Sequence, residues 1–218
     1  MSTSMGTVKK TALDEFNNPR KGGIIAVNLD DGDYLIGAAL TDGKHDVMLF
    51  SDGGKAVRFA EDDVRPLGRN ARGVRGMSLD PGQGVIAMLV AEDEQQSVLT
   101  ATENGYGKRT SITEYTRHGR GTKGMIAIQQ SERNGKVVAA TLVHADDEIM
   151  LITDKGVLVR TRVAEIRELG RATQGVTLIG LDEGAKLSGL QRIVENDANG
   201  EGEPDADDTS TSSTENPQ

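Results

Sequence analysis

Short apolar runs punctuated by glycine, asparagine and aspartate recur along the chain. Val47-Met48-Leu49-Phe50, Val98-Leu99-Thr100-Ala101 and Ile149-Met150-Leu151-Ile152 each lead through a Gly-containing turn into a second run that ends on a basic residue. Runs this short, rich in branched residues and bounded by turn formers, predict strands rather than helices. A basic, glycine-rich loop follows each pair. A third strand is then predicted at 24–28, 74–79, 125–129 and 176–179, and a fourth at 34–40, 85–90, 136–143 and 186–193. Four short strands in roughly 50 residues is the arithmetic of a propeller blade.

The copies align without ambiguity. Ser4-Met5-Gly6-Thr7-Val8-Lys9-Lys10-Thr11 matches Asp52-Gly53-Gly54-Lys55-Ala56-Val57-Arg58-Phe59, then Glu103-Asn104-Gly105-Tyr106-Gly107-Lys108-Arg109-Thr110, then Asp154-Lys155-Gly156-Val157-Leu158-Val159-Arg160-Thr161, at intervals of 48, 51 and 51. The string Gly-Arg-x-x-x-Gly recurs with the same 51-residue interval at Gly68-Arg69-Asn70-Ala71-Arg72-Gly73, Gly119-Arg120-Gly121-Thr122-Lys123-Gly124 and Gly170-Arg171-Ala172-Thr173-Gln174-Gly175. In the first copy Pro19-Arg20 stands in its place. The expected fold is all-β: about four four-stranded blades over residues 1–194, with repeats starting near 1, 47, 97 and 148. The first copy starts in mid-strand, so the chain is expected to be part of a longer polypeptide and its ring a partial one.

Charge refines this picture. The formal net charge is −9, but all 25 lysines and arginines lie at or before Arg192. The body pairs those 25 cations with 26 acids, a net of −1, while residues 195–218 carry the other eight acids. That terminal stretch has almost no apolar residue, cannot offset its ordering entropy by burial, and is expected to be a disordered acidic tail. It is a solubilising end or a tethered competitor for the basic rim. An acidic partner is therefore not excluded by overall charge. There is no cysteine, hence no disulfide, thiol nucleophile or Cys-bound metal. No apolar run approaches the ~18 residues of a membrane span, so no membrane partner is expected.

Enzyme-like motifs fit poorly. Gly119-Arg120-Gly121-Thr122-Lys123-Gly124 satisfies the G-x-G-x-x-G string, but its sister loops lack the middle glycine and a strand follows where a helix is needed. Asp30-Asp31-Gly32-Asp33 lacks the alternating acids of a calcium loop and reads as a turn. His45, His118 and His144 stand apart in the sequence and suggest no metal site; Tyr115 aligns with Phe16, Val64 and Ile166 as a packing position. No catalytic residue or cofactor is expected.

The strongest candidates are cations in register. Lys10, Arg58, Arg109 and Arg160 occupy one repeat position; Arg20, Arg69, Arg120 and Arg171 occupy another, with Arg72, Arg117, His118 and Lys123 beside them. Such an array can follow a polyphosphate without reading bases. Glycine lets the backbone approach a phosphate and arginine offers a planar donor fork. Gln174 replaces the loop's basic residue in the fourth copy, which weakens it. The competing reading makes the first array a set of solvated strand-edge charges or partners of Glu15, Asp63, Glu114 and Glu165, five residues after each member.

Several stretches resemble the C-terminal domain of the DNA gyrase A subunit. They are Asn104-Gly105-Tyr106-Gly107-Lys108-Arg109-Thr110, Lys123-Gly124-Met125-Ile126-Ala127-Ile128, Ile152-Thr153-Asp154-Lys155-Gly156, and above all Arg160-Thr161-Arg162-Val163-Ala164-Glu165-Ile166 continuing to Gly170-Arg171-Ala172-Thr173-Gln174-Gly175-Val176. The resemblance implies a β-pinwheel, a propeller whose blades exchange strands, truncated here to its later blades. It implies sequence-independent binding and bending of double-stranded DNA at a basic rim. It also implies partnership, in a bacterial cytoplasm and on the nucleoid, with the rest of the gyrase A subunit plus the gyrase B subunit. ATP and Mg2+ would be bound elsewhere in that parent enzyme, and this part would have no catalysis of its own. The family's basic box, similar to Gln-Arg-Arg-Gly-Gly-Lys-Gly, has its nearest relative in Arg117-His118-Gly119-Arg120-Gly121-Thr122-Lys123-Gly124. The C-terminal domain of topoisomerase IV and a protein-interaction propeller are the alternatives; the second would need aromatic anchors, and the chain has three Tyr, three Phe and no Trp.

Overall fold

In a computed structural model of the chain, the structure describes residues 1–194; the expected acidic tail, 195–218, lies outside them. Strands β1 (Ser2–Thr3), β2 (Thr7–Val8) and β3 (Leu35–Gly37) belong to the first copy. The second supplies β4 (Asp46–Ser51), β5 (Lys55–Ala60), β6 (Val74–Arg75) and β7 (Val85–Ala91). The third supplies β8 (Ser97–Thr102), β9 (Tyr106–Ser111), β10 (Met125–Ile126) and β11 (Val137–Val143), and the fourth β12 (Glu148–Thr153), β13 (Leu158–Arg162), β14 (Val176–Thr177) and β15 (Leu187–Ile193). A single turn of 3-10 helix follows the second strand of every copy.

The third strand of a copy does not pair within its own blade. β6 pairs with β2, β10 with β5 and β14 with β9, all antiparallel and in the same register: Val74 opposite Val8, Met125 opposite Ala56, Val176 opposite Gly107. Each sheet is thus completed by the next copy, the strand exchange of a pinwheel. The predicted strand at 24–28 is not one: among the described residues no second strand of another copy lies beside it. The last sheet, β13-β12-β15, has three strands among the described residues for the complementary reason.

Alternation at period two sorts each inner strand between two cores. In β4, Leu49 joins Val8, Val57, Phe59 and Val64 between the first and second blades, while Met48 and Phe50 join Val98, Ile112 and Tyr115 between the second and third. In β8, Val98 belongs to that core, whereas Leu99 packs with Ile149, Leu151, Val163 and Ile166 in the next. Tyr115, expected to be a packing residue, is fully buried and meets Phe50 edge to face at 5.9 Å between ring centroids. β12 has only its Ile149 and Leu151 face covered by a core, and the intervening Met150 and Ile152 stay half-exposed.

Candidate nucleic-acid interface

Each Gly-Arg loop rides on the copy before it. The N–H groups of Asn28, Ser78 and Gln129 donate to the carbonyls of Ala71, Thr122 and Thr173 in the following copy. The loop arginines return the contact: Arg69 donates through a terminal nitrogen to the Ile25 carbonyl, Arg120 to Arg75 and Arg171 to Ile126, at 2.7, 3.0 and 2.7 Å. Ile25, Arg75 and Ile126 hold one position of the repeat, so the three loops form a staircase with identical steps. A guanidinium carries five donors, and one or two are spent here.

The strand array behaves differently. Arg58 is 7 % exposed; its Nε donates to Asp46 at 2.7 Å and a terminal nitrogen to the carbonyls of Ile112 and Tyr115 in the next copy. Arg109 donates to the Ile166 carbonyl, and Lys10 to that of Glu61 and to the Asp62 carboxylate. The expected phosphate contact of Arg58, Arg109 and Lys10 gives way to a latch on the 3-10 turn of the next blade. A nearly neutral body can hold such cations inside its seams because carbonyls and acids there satisfy them. Arg160, in the last copy, is exposed and paired with Glu148. The acids expected to partner this array do other work: Glu15 and Glu114 accept from the backbone N–H of Arg69 and Arg171, and the carbonyl of Asp63 accepts from Arg120.

Of the remaining predicted residues, Arg20 and His118 are exposed on the loops. Arg72 pairs with Asp30, Arg117 with Asp46 and Lys123 with Asp80, yet their side chains keep 70, 60 and 66 % of their exposure. Lys123, then Lys55, holds the Asp80 carboxyl below its ordinary range. The Arg72–Asp30 pair is exposed on both sides and contributes little stability, whereas the Asp46 partner of Arg117 is buried.

Two kinds of residue escaped the sequence. Lys9 and Lys108, one before the strand array, are buried, and each reaches through its blade to carbonyls of the next copy's loop: Lys9 to Arg69, Lys108 to Gly170 at 2.5 Å and to Arg171. Burial lowers the Lys108 ammonium to about 8, with Glu114 opposing and Arg171 assisting the shift. Val57 and Val159 stand at the equivalent places, so the loop at Gly119–Gly124 is the one built without this clamp. The second kind is Arg65, Arg75 and Arg167, exposed beside the loops. They pair with no acid among the described residues.

Known proteins share this architecture. The family described as DNA gyrase C-terminal domain, beta-propeller, matches residues 1–42, 45–92, 96–144 and 147–193. The A subunit of DNA gyrase from Pseudomonas aeruginosa is 55 % identical over 195 residues, 89 % of this chain and 21 % of that protein. Its counterpart from Escherichia coli K12 is 53 % identical over 195 residues, covering 89 % and 22 %. The chain therefore spans about a fifth of these relatives. A solved DNA gyrase A C-terminal domain superposes with a TM-score of 0.79 at 28 % identity, covering 88 % of this chain and 64 % of that one. The C-terminal domain of DNA topoisomerase IV superposes with 0.84 at 26 %, covering 88 % and 60 %. With four consecutive matches spread along its described length, the chain belongs to the DNA gyrase C-terminal domain, beta-propeller, family.

Proposed function

We propose that the chain is part of the DNA gyrase A subunit, and that its loop-bearing rim binds duplex DNA through the phosphates and bends it. The observation that carries this reading is the staircase. Arg69, Arg120 and Arg171 repeat at one step, and the exposed Arg65, Arg75 and Arg167, which pair with no acid among the described residues, stand beside them. Cations at a fixed interval around a curved edge favour a curved polyanion. Main-chain carbonyls hold the loop arginines in place, so little side-chain entropy is lost on contact.

The chain's described residues orient and hold; no group among them is arranged for bond cleavage, and the parent enzyme's ATP and Mg2+ are assigned elsewhere in that enzyme. Assembly with the rest of the A subunit, together with the B subunit, in the bacterial cytoplasm on the nucleoid, belongs to the same proposal. There the bent duplex would be presented in the handedness that lets the whole enzyme introduce negative supercoils. The topoisomerase IV reading shares the blade but not the names of the relatives that are 53 and 55 % identical.

Titration of unrelated duplexes of equal length tests the binding. Affinities should agree between sequences, and log K should fall with log salt by about 0.9 per phosphate contact. Arg65→Ala, Arg75→Ala and Arg167→Ala should each flatten that slope by about one contact. Salt-insensitive or sequence-selective binding would contradict the proposal.

A further inference from the structure

The segment joining the first two copies closes against the second blade through three side chains of unlike chemistry. Asp42, His45 and Glu61 each bring one ligand atom to within 4.8 Å of the others. Asp42 and His45 lie on the connection that leads into β4, and Glu61 opens the 3-10 turn after β5.

The repeats supply an internal control. The N–H groups of Glu61, Ile112 and Val163 donate to the carbonyls of His45, Gln96 and Asp147 respectively, so these three pairs are one position of the blade. Ile112 and Val163 are fully buried there. In the second copy alone the buried post is a carboxylate, 4 % exposed, and the residue whose carbonyl it faces is the histidine. Packing does not ask for a charge at this place.

Burying a carboxylate is costly unless a cation or metal balances it. Glu61 accepts from the Thr41 hydroxyl at 2.5 Å and the Gly43 N–H at 3.0 Å, and it joins no ion pair among the described residues. Lys10 reaches the main-chain oxygen of Glu61 and the Asp62 carboxylate, with no bond to the Glu61 carboxylate among those seen. Each Glu61 oxygen keeps a lone pair.

His45 adds a geometric sign. Its Nδ1 lies 2.9 Å from Asp42 Oδ1, yet that nitrogen is buried and makes no hydrogen bond. Two ligand atoms at about 2.1 Å from one tetrahedral zinc are separated by about 3.4 Å, so this pair would open by about half an ångström to take the ion. Thr41 and Gly43 would then be the outer partners that orient a ligating carboxylate.

We propose that Asp42, His45 and Glu61 bind a divalent first-row metal ion, with zinc the class suited to one imidazole and two carboxylates. The ion staples the connection between the first two copies to the second blade and neutralises Glu61. No redox step is involved, and a water would fill the remaining position.

Calorimetric titration of the full 218-residue chain with zinc chloride, followed in parallel by NMR of its histidine rings, tests this, with magnesium chloride as the control. One saturable zinc should bind per chain, moving the His45 ring signals and leaving those of His118 and His144 in place. Magnesium should not reproduce the shift. His45→Gln and Asp42→Asn should each weaken zinc by at least about tenfold. Asp42 keeps 59 % of its side-chain exposure, so its variant retains the fold even if the histidine variant does not. Zinc affinity that persists in Asp42→Asn, as general capture by acidic residues would give, overturns the site. Absence of saturable binding, or a shift at His118 or His144 instead, overturns it equally.

Discussion

Arg58 and Arg65 are seven residues apart and alike in chemistry, yet they do opposite work. Arg58 shares the buried Asp46 with the exposed Arg117. Arg58→Ala should therefore cost about 3 kcal/mol, the lower end for breaking a buried pair, because Arg117 still reaches the carboxylate. Urea unfolding measures this, and the salt slope of DNA binding by the folded protein should not change. The loop arginines were legible because glycine and arginine together have few structural reasons to recur. Lys9 and Lys108 were not: their alternation looks like that of any half-exposed strand, and only the strand exchange shows that both faces are covered. Lys108 also makes stability depend on pH. Its amine titrates near 8 when folded, against 10.5 in the ordinary group. Between those values the unfolded chain holds a proton that the folded chain has released, so stability rises with pH across the window and is lowest below it. Lys108→Met should remove its share of that rise and leave that of Lys9, whose ammonium burial also lowers. Urea midpoints at pH 7.5 and 9.5 that shift equally in both proteins would contradict it.

At the scale of the element, the inner strands were readable to within a residue, since apolar runs and turn glycines are local signals. The third strands were not. Each is two residues long because the next two N–H groups converge on one carbonyl and end the ladder: Gly76 and Met77 on Gly6, Ala127 and Ile128 on Gly54, Leu178 and Ile179 on Gly105. That bulge depends on contact between copies and leaves no periodic trace. It also makes a glycine indispensable where a neighbour follows. At Gly105, φ is +81° and an added Cβ would meet the Ile179 oxygen at 2.6 Å; at Gly156, φ is +80° with open space around it. Gly156→Ala should cost about 1–2 kcal/mol for the left-handed backbone. Gly105→Ala should cost a further ~1–3 kcal/mol for the clash. Equal losses in urea unfolding would mean that the exchanged strands yield freely.

Across the whole molecule, the four copies divide cations between two tasks. Those on the strands and under the loops join one blade to the next, and those on the loops and beside them are the ones we propose meet a polyanion. The division explains how a body with 25 cations and 26 acids can present a basic edge: many of its acids are engaged inside the seams or at the feet of the loops. The repeat interval pointed to this architecture, and the exchange of strands was implied only by resemblance, because a period reveals copies and not which copy completes which sheet. Bending at the rim has a direct topological test. A nicked plasmid is incubated with the chain at low salt, ligated, stripped of protein and resolved by electrophoresis. The staircase predicts a shift of the topoisomer distribution in the positive sense that grows with protein and is lost as salt is raised. Binding without any shift in linking number would contradict it.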